Sequence, residues 1–417
     1  MPLISTVDGK TIKNNGWKVT FAGIGINLAL GILYSWSIIG SAIEKSGWGW
    51  SAAQRSLPYS IACLVFCLVM VPAGRMQDKL GPRLVASIGG LLVGIGMILT
   101  SFSNSVTGFI IGFGVLAGAG IGFGYAATTP PAVKWFPASK TGMITGLVVS
   151  GFGLASIYIA PLSNLLINSF GIPRTLLIFG IGFLIVVVSL SQLLSVPPKG
   201  FTVSNASLNA NEAAAPVKPA GKDFTSLEIL KTWQFYLLWF MFACGAGAGL
   251  MVISVAKSIA GKAGVGVIAV VALAIGNGLG RISAGMLSDK IGRKQTLFMF
   301  LLLQSAAVFV LSVAGTHDGI ISSGIVLICL SALIGANYGS NLSLFPSITK
   351  DFFGLKNFGM NYGLVFTAWG VGGFLLAQLA GIVYDKTQTF TFAFYCSVVL
   401  LIIAGIMVFL LKPPKKA

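Results

Sequence analysis

Twelve times along this chain a run of about twenty apolar residues is bounded by polar ones, and that recurrence limits what it can fold into. The windows are 17–40, 52–76, 84–102, 107–130, 141–168, 173–196, 232–257, 264–288, 296–315, 320–345, 358–383 and 389–411. Each is long enough to cross a hydrocarbon core about 30 Å thick as a helix. In that medium the backbone must satisfy its own hydrogen bonds, and a helix does so within one segment. With 55% hydrophobic and 9% charged residues, an ordinary soluble domain is excluded. The expected fold class is an all-α membrane protein of twelve transmembrane helices, with the lipid bilayer as its surroundings.

The net charge of +17 could suggest nucleic acid, but the positive residues do not gather on one soluble face. An even number of spans puts both termini on one side. Twenty of the 27 lysines and arginines fall on connections of that side. Six, Lys45, Arg55, Arg174, Lys257, Lys262 and Lys386, fall on the other, and Arg281 lies within a span. The positive-inside rule then places both termini in the cytoplasm. The five cysteines fall inside spans and read as small packing residues, with no metal spacing or disulfide framework.

Residues 1–16 read as a cytoplasmic tail, 17–196 as a six-helix half, 197–231 as a cytoplasmic linker, 232–411 as a second six-helix half and 412–417 as a second tail. The linker is rich in Ala, Asn, Ser and Pro and is expected to be largely disordered, with a short helix near 226–231. The halves repeat. GRMQDKLGPR at 74–83 matches GMLSDKIGRK at 285–294, at an offset of 211. GMITGLV at 142–148 matches GMNYGLV at 359–365, at an offset of 217. Such parallel repeats predict two pseudo-symmetric halves with a site between them near the midplane.

Arg281 is the one deep charge. It lies about two turns before the polar end of its span, where an arginine costs roughly 2.5–3.5 kcal/mol on insertion scales and usually faces a cavity or a partner. It is the candidate binder of an anion; the alternatives are backbone carbonyls or snorkelling. Asn277, one turn earlier on the same face, could orient the guanidinium, bind a substrate hydroxyl or make an interhelical hydrogen bond. Asn27, Gly31 and Tyr34 form one stripe of the first span. Tyr338 and Asn341 share a turn of the tenth, and Tyr125 stands in a similar context in the fourth. Phe366 and Trp369 could wall a pocket in the eleventh. For each aromatic, packing is the competing role. All ten acids lie in loops or at span ends. No nucleophile, acid pair or metal cluster lies in the spans, so an enzyme reading has little support and no cofactor or metal is expected.

The loops at 74–83 and 285–294 resemble the signature loop of the major facilitator superfamily. Trp135-Phe136-Pro137 followed by Lys140-Thr141-Gly142 is similar to the fifth-span signature of monocarboxylate transporters and of bacterial oxalate/formate antiporters. Asp351-Phe352-Phe353-Gly354, Asn361-Tyr362-Gly363-Leu364 and Ala368-Trp369-Gly370 resemble the oxalate/formate branch, and Tyr34-Ser35-Trp36-Ser37 agrees. The resemblance implies the major facilitator fold, a bacterial inner membrane, a monomer, and gating by Asp78, Arg83, Asp289 and Arg293. Two departures stand out. The lysine and aspartate of animal monocarboxylate transporters are absent: residues 23–43 hold no lysine, and Asn277 occupies the aspartate's place. The second base of oxalate carriers is absent from 362–383.

One guanidinium suits one carboxylate. The expected function is therefore secondary transport of a small monocarboxylate of the lactate or pyruvate type by alternating access. Proton coupling is implied by the resemblance. An oxalate/formate-type anion exchanger and a non-transporting carboxylate sensor are the alternatives.

Overall fold

The computed structural model describes the chain apart from residues 1–2, 8–9, 138–139, 199, 206–222, 315–322, 355–356 and 415–417. Among the described residues, eleven hydrogen-bonded helical stretches are long and apolar enough to cross a membrane, and this is a multi-pass membrane protein. One stretch is two helices, because Gly171 takes φ 77° and ψ 174° in front of Pro173 and breaks the helical path. The twelve helices are α1 (Gly16–Lys45), α2 (Ala52–Leu80), α3 (Pro82–Ser101), α4 (Val106–Val133), α5 (141–170), α6 (172–191), α7 (Trp233–Gly261), α8 (Gly266–Ile291), α9 (Arg293–Ala314), α10 (Gly324–Phe353), α11 (Phe358–Thr387) and α12 (Thr391–Leu410). Several run a turn or two past the apolar windows, because a helix continues through polar residues until a cap stops it.

The loop after α2 and the loop after α8 stop their helices in the same way. Gly81 (φ 87°, ψ 160°) and Gly292 (φ 96°, ψ 154°) each occupy the C-cap. Their amides donate to Gln77 and Ser288 carbonyls at 3.0 and 3.1 Å. Positive φ is accessible to glycine without steric penalty, so the repeated glycine is a backbone requirement.

Burial ranks the helices. In their most apolar windows α1 and α7 are 83% buried and α12 is 39% buried. The first two therefore line the interior and the last faces lipid. α1 tightens into a 3-10 turn at Gly31–Ser35, which carries Tyr34. α4 contains a π-helical stretch at Ile110–Ala117.

The short segments depart from expectation. The tail and the linker pair in a three-stranded antiparallel sheet of β1 (Leu3–Val7), β2 (Lys10–Thr11) and β3 (Phe201–Asn205), in the order β2-β1-β3 with Ser5 opposite Val203. The two longer strands carry β-branched residues, Ile4, Thr6 and Val7 in β1 and Thr202 and Val203 in β3, which favour extended pairing. The short helix expected near 226–231 does form, as a turn at Ser226–Ile229 where Thr225 and Glu228 make a reciprocal capping box. Residues 206–222 lie outside the described residues.

On the face opposite the termini, α11 reaches across to α2. The Asp385 carboxylate accepts from the Ala52 and Ala53 amides at 2.5 and 2.9 Å, and Ser56 Oγ donates to Gln378 Oε1 at 3.0 Å. A carboxylate at a helix N-terminus is held by unsatisfied amides and by the helix dipole. Asp385→Asn removes the charge and one acceptor. The contact is expected to weaken by about 1 kcal/mol, or roughly fivefold in the open population of this face. The readout is maleimide labelling of a cysteine at position 56, in a background lacking the five native cysteines: labelling accelerates in the Asp385→Asn variant. Equal rates would mean that the capped end does not hold this face closed.

Candidate functional site

α8 and α10 cross at very close range, and the sequence explains how. Gly276 and Gly280 on α8, and Gly335 and Gly339 on α10, are each spaced by four residues. A Cβ at Gly276 or Gly280 would overlap the Ala332 or Ala336 carbonyl of α10. A Cβ at Gly335 or Gly339 would overlap the Leu273 or Asn277 carbonyl of α8. Small residues four apart let two backbones touch. That contact sets Asn277 beside the turn carrying Tyr338.

α8 has two distinct faces. Leu279 and Met286 are each 61% exposed and turn toward lipid, whereas Asn277, Arg281, Ala284 and Ser288 turn inward. Arg281 is 6% exposed, so it neither snorkels nor meets lipid.

Its guanidinium is held by two neutral acceptors. Nε donates to Asn277 Oδ1 at 3.0 Å, and Nη1 donates to the Val149 carbonyl of α5 at 2.9 Å. The second bond ties α8 to α5, from one six-helix group to the other. Gly153 makes room for it: a Cβ there would stand 3.3 Å from the guanidinium carbon. Nη2 is buried with no partner of hydrogen-bond geometry among the described residues, although the Tyr125 hydroxyl lies close enough to interact with the guanidinium. Because Asn277 Oδ1 faces the arginine, its Nδ2 points elsewhere, and it too is buried without a partner. A buried donor left unpaired costs about 1–3 kcal/mol, and a buried cation without an anion costs more.

None of the described carboxylates pairs with Arg281. Glu44 pairs with Arg55, Asp78 with Lys134, and Asp289 and Asp351 with Arg293. Asp385 caps α2, and Glu228 caps its own helical turn.

The predicted aromatics converge beside this cation. Tyr34 and Tyr338 share a 2.6 Å hydroxyl–hydroxyl hydrogen bond, and Trp369 Nε1 donates to Tyr338 Oη at 2.7 Å. This chain joins α1, α10 and α11. Trp369 stacks on Phe366 with centroids 5.2 Å apart. Tyr125 packs edge-on against Phe66 and Phe152, both at 5.4 Å. The Arg281 charge reaches Tyr34, Tyr125 and Tyr338, and also Tyr362.

Asn27 and Asn341 are engaged elsewhere. Asn27 Nδ2 donates to the Val148 carbonyl at 2.8 Å and to Thr128 Oγ1 at 3.3 Å, tying α1 to α5 and α4. Asn341 Nδ2 donates to the Asn337 carbonyl at 3.1 Å, and lies at the edge of hydrogen-bond range from Gln304. The four expected gating residues form no pair between the two helix groups. Arg83 donates to the Leu194 carbonyl at 2.7 Å rather than binding Asp78. Arg293 holds Asp289 at 2.8 Å, Asp351 at 3.2 Å and the Ser288 hydroxyl. The groups meet instead where Gly370 of α11 lies on the Cys63 carbonyl of α2, and where Tyr59 Oη of α2 donates to the Leu250 carbonyl of α7 at 3.1 Å.

Sequence reasoning missed Val149, Gly153, Phe66 and Phe152. The usable signal was Gly153: a glycine one turn after Val149 leaves that carbonyl open to a side chain from outside the helix.

Comparison with known proteins bears on this arrangement. The family model described as Major Facilitator Superfamily matches residues 19–317 and 249–417. The uncharacterised MFS-type transporter YhjX of Escherichia coli (strain K12) is 28% identical over 362 residues, covering 85% of this chain and 85% of that protein. The oxalate:formate antiporter of Oxalobacter formigenes is 26% identical over 360 residues, covering 85% and 81%. Monocarboxylate transporter 11 of Mus musculus is 26% identical over 398 residues, covering 91% and 83%.

Proposed function

This chain belongs to the Major Facilitator Superfamily, and we propose that it is a secondary carrier moving a small monocarboxylate of the lactate or pyruvate type by alternating access, coupled to protons. The observation that carries this reading is the buried Arg281 guanidinium, which has no anion beside it and whose Nη2 lacks a hydrogen-bond partner among the described residues. A carboxylate supplies an acceptor for Nη2 and the negative charge that Arg281 lacks. The pair of tyrosine hydroxyls beside it offers partners for a hydroxyl or keto oxygen on the next carbon. Two relatives, an oxalate:formate antiporter and a monocarboxylate transporter, support an anionic substrate of this kind.

The mechanism follows from electrostatics. An unpaired guanidinium opposes closure of a dry cavity around it. A bound carboxylate neutralises it, and the loaded carrier changes its facing at lower cost. The Val149 bond is the tie that an incoming carboxylate competes with, since it links the two six-helix groups through the same guanidinium. The protein works as a monomer in a bacterial inner membrane, with both termini in the cytoplasm and the Asp385 face outside.

A second reading, exchange of one anion for another, is favoured by one observation: no described carboxylate contacts Arg281, so no acid beside the site is placed to carry a coupled proton. Proteoliposomes separate the two. Uptake of radiolabelled L-lactate is expected to rise severalfold with an inward proton gradient and to ignore excess external oxalate. Uptake that requires internal anion, or that oxalate blocks, would establish exchange instead.

A further inference from the structure

A cavity of about 520 Å³ opens on the face opposite the termini, lined by residues from the ends of α1, α5 and α7 and the starts of α4 and α6. It lies apart from Arg281. Two of its lining residues are charged, Lys45 of α1 and Lys257 of α7, and no acid among the described residues lines it. The nearest carboxylate in sequence, Glu44, is committed to Arg55 at 3.2 Å. Both lysines line this one cavity, so their like charges add there. Lys257 Nζ is steadied by Asn164 Oδ1 at 2.9 Å. Like charges turned into one concave wall raise the potential there and concentrate anions. The volume falls within the range of about 300–1,000 Å³ usual for small-molecule sites.

We propose that this outer cavity is a capture site for the substrate anion, in which Lys45 and Lys257 hold a carboxylate between the two six-helix groups before it passes to Arg281. The assignment rests on the transport reading, but the site itself requires only that small carboxylates bind there. The amide of Asn168 and the hydroxyl of Ser41 line the same wall and supply neutral donors, whereas the Ser46 hydroxyl donates to the Ile43 carbonyl at 2.7 Å. Binding is weak by design of the wall: it is open to water, and a capture site that held the anion tightly would slow its onward passage.

Trp48 lines the cavity and reports on it. L-lactate is titrated into purified Arg281→Ala protein while tryptophan fluorescence is followed, with a Trp48→Phe version as reference. A saturable change is expected that depends on Trp48, weakens as chloride is raised, and disappears in Arg281→Ala/Lys45→Gln/Lys257→Gln. No saturable change, or the same change in that triple variant, overturns the proposal. In proteoliposomes the Lys45→Gln/Lys257→Gln variant, with Arg281 intact, is expected to raise KM roughly 3- to 10-fold, hold Vmax within about twofold and flatten the salt dependence of uptake. A lowered Vmax at unchanged KM would also overturn it, because the lysines would then serve closure rather than capture. If the native protein takes up no lactate, the transport reading fails, and the capture site stands or falls on the fluorescence titration alone.

Discussion

Arg281→Ala is expected to abolish carboxylate uptake while leaving the helices assembled. Truncating one partner of a buried, hydrogen-bonded charge pair costs roughly 2–5 kcal/mol, which is about 30- to 3,000-fold in affinity. The loss should exceed that of any other single side chain around the site, because no second base lies in reach among the described residues. Arg281→Lys separates charge from geometry. The ammonium keeps the positive charge but cannot hold Asn277 Oδ1 and Val149 while also offering a fork to a carboxylate. It should therefore transport poorly, by about tenfold or more. The alanine variant also leaves the Asn277 and Val149 oxygens without their donor, at about 1–3 kcal/mol, so its melting temperature is measured alongside uptake. Near-native uptake by folded Arg281→Ala would remove the site from the mechanism.

The second large effect is on stability. Gly280→Val is expected to prevent assembly, because a branched side chain would have to occupy the position of the Ala336 carbonyl across the α8–α10 crossing. Overpacking typically costs 1–3 kcal/mol when side chains can move aside, and here the obstacle is backbone. Gly280→Ala, the smallest step, should already lower the melting temperature by several degrees. Gly285→Ala on the same helix meets nothing within 4 Å and should change little. Monodisperse yield in detergent and thermal melting read all three variants. Equal melting of the Gly280 and Gly285 alanine variants would show that the crossing is looser than the contacts imply.

The twelve spans were legible because a membrane forces each apolar run of that length into a helix. The repeat was legible too, and its glycines prove to be C-caps with positive φ. Arg281 stood out because a single charge at depth needs no structure to be noticed. The glycines at 276, 280, 335 and 339 were equally readable as a pair of small-residue motifs, but no one-dimensional pattern says which two helices they join. The Val149 carbonyl was invisible for a related reason: a backbone acceptor has no letter of its own. Asn27 misled because a buried amide on an inward stripe looks the same whether it faces a ligand or ties helices together. The sheet between tail and linker was hidden in segments whose composition reads as unstructured. Lys45 and Lys257 were read as sided charges, and only the fold turns them toward one cavity.

The most direct test of the central claim is a crystal structure with 3-bromopropionate, located by the anomalous signal of its bromine. The expected result is one strong peak beside Arg281, with the carboxylate on Nη2, lost in Arg281→Ala crystals. A peak unaffected by that substitution, or bound anion with the Arg281 site unvisited, would contradict the assignment of Arg281 as the substrate's counter-charge.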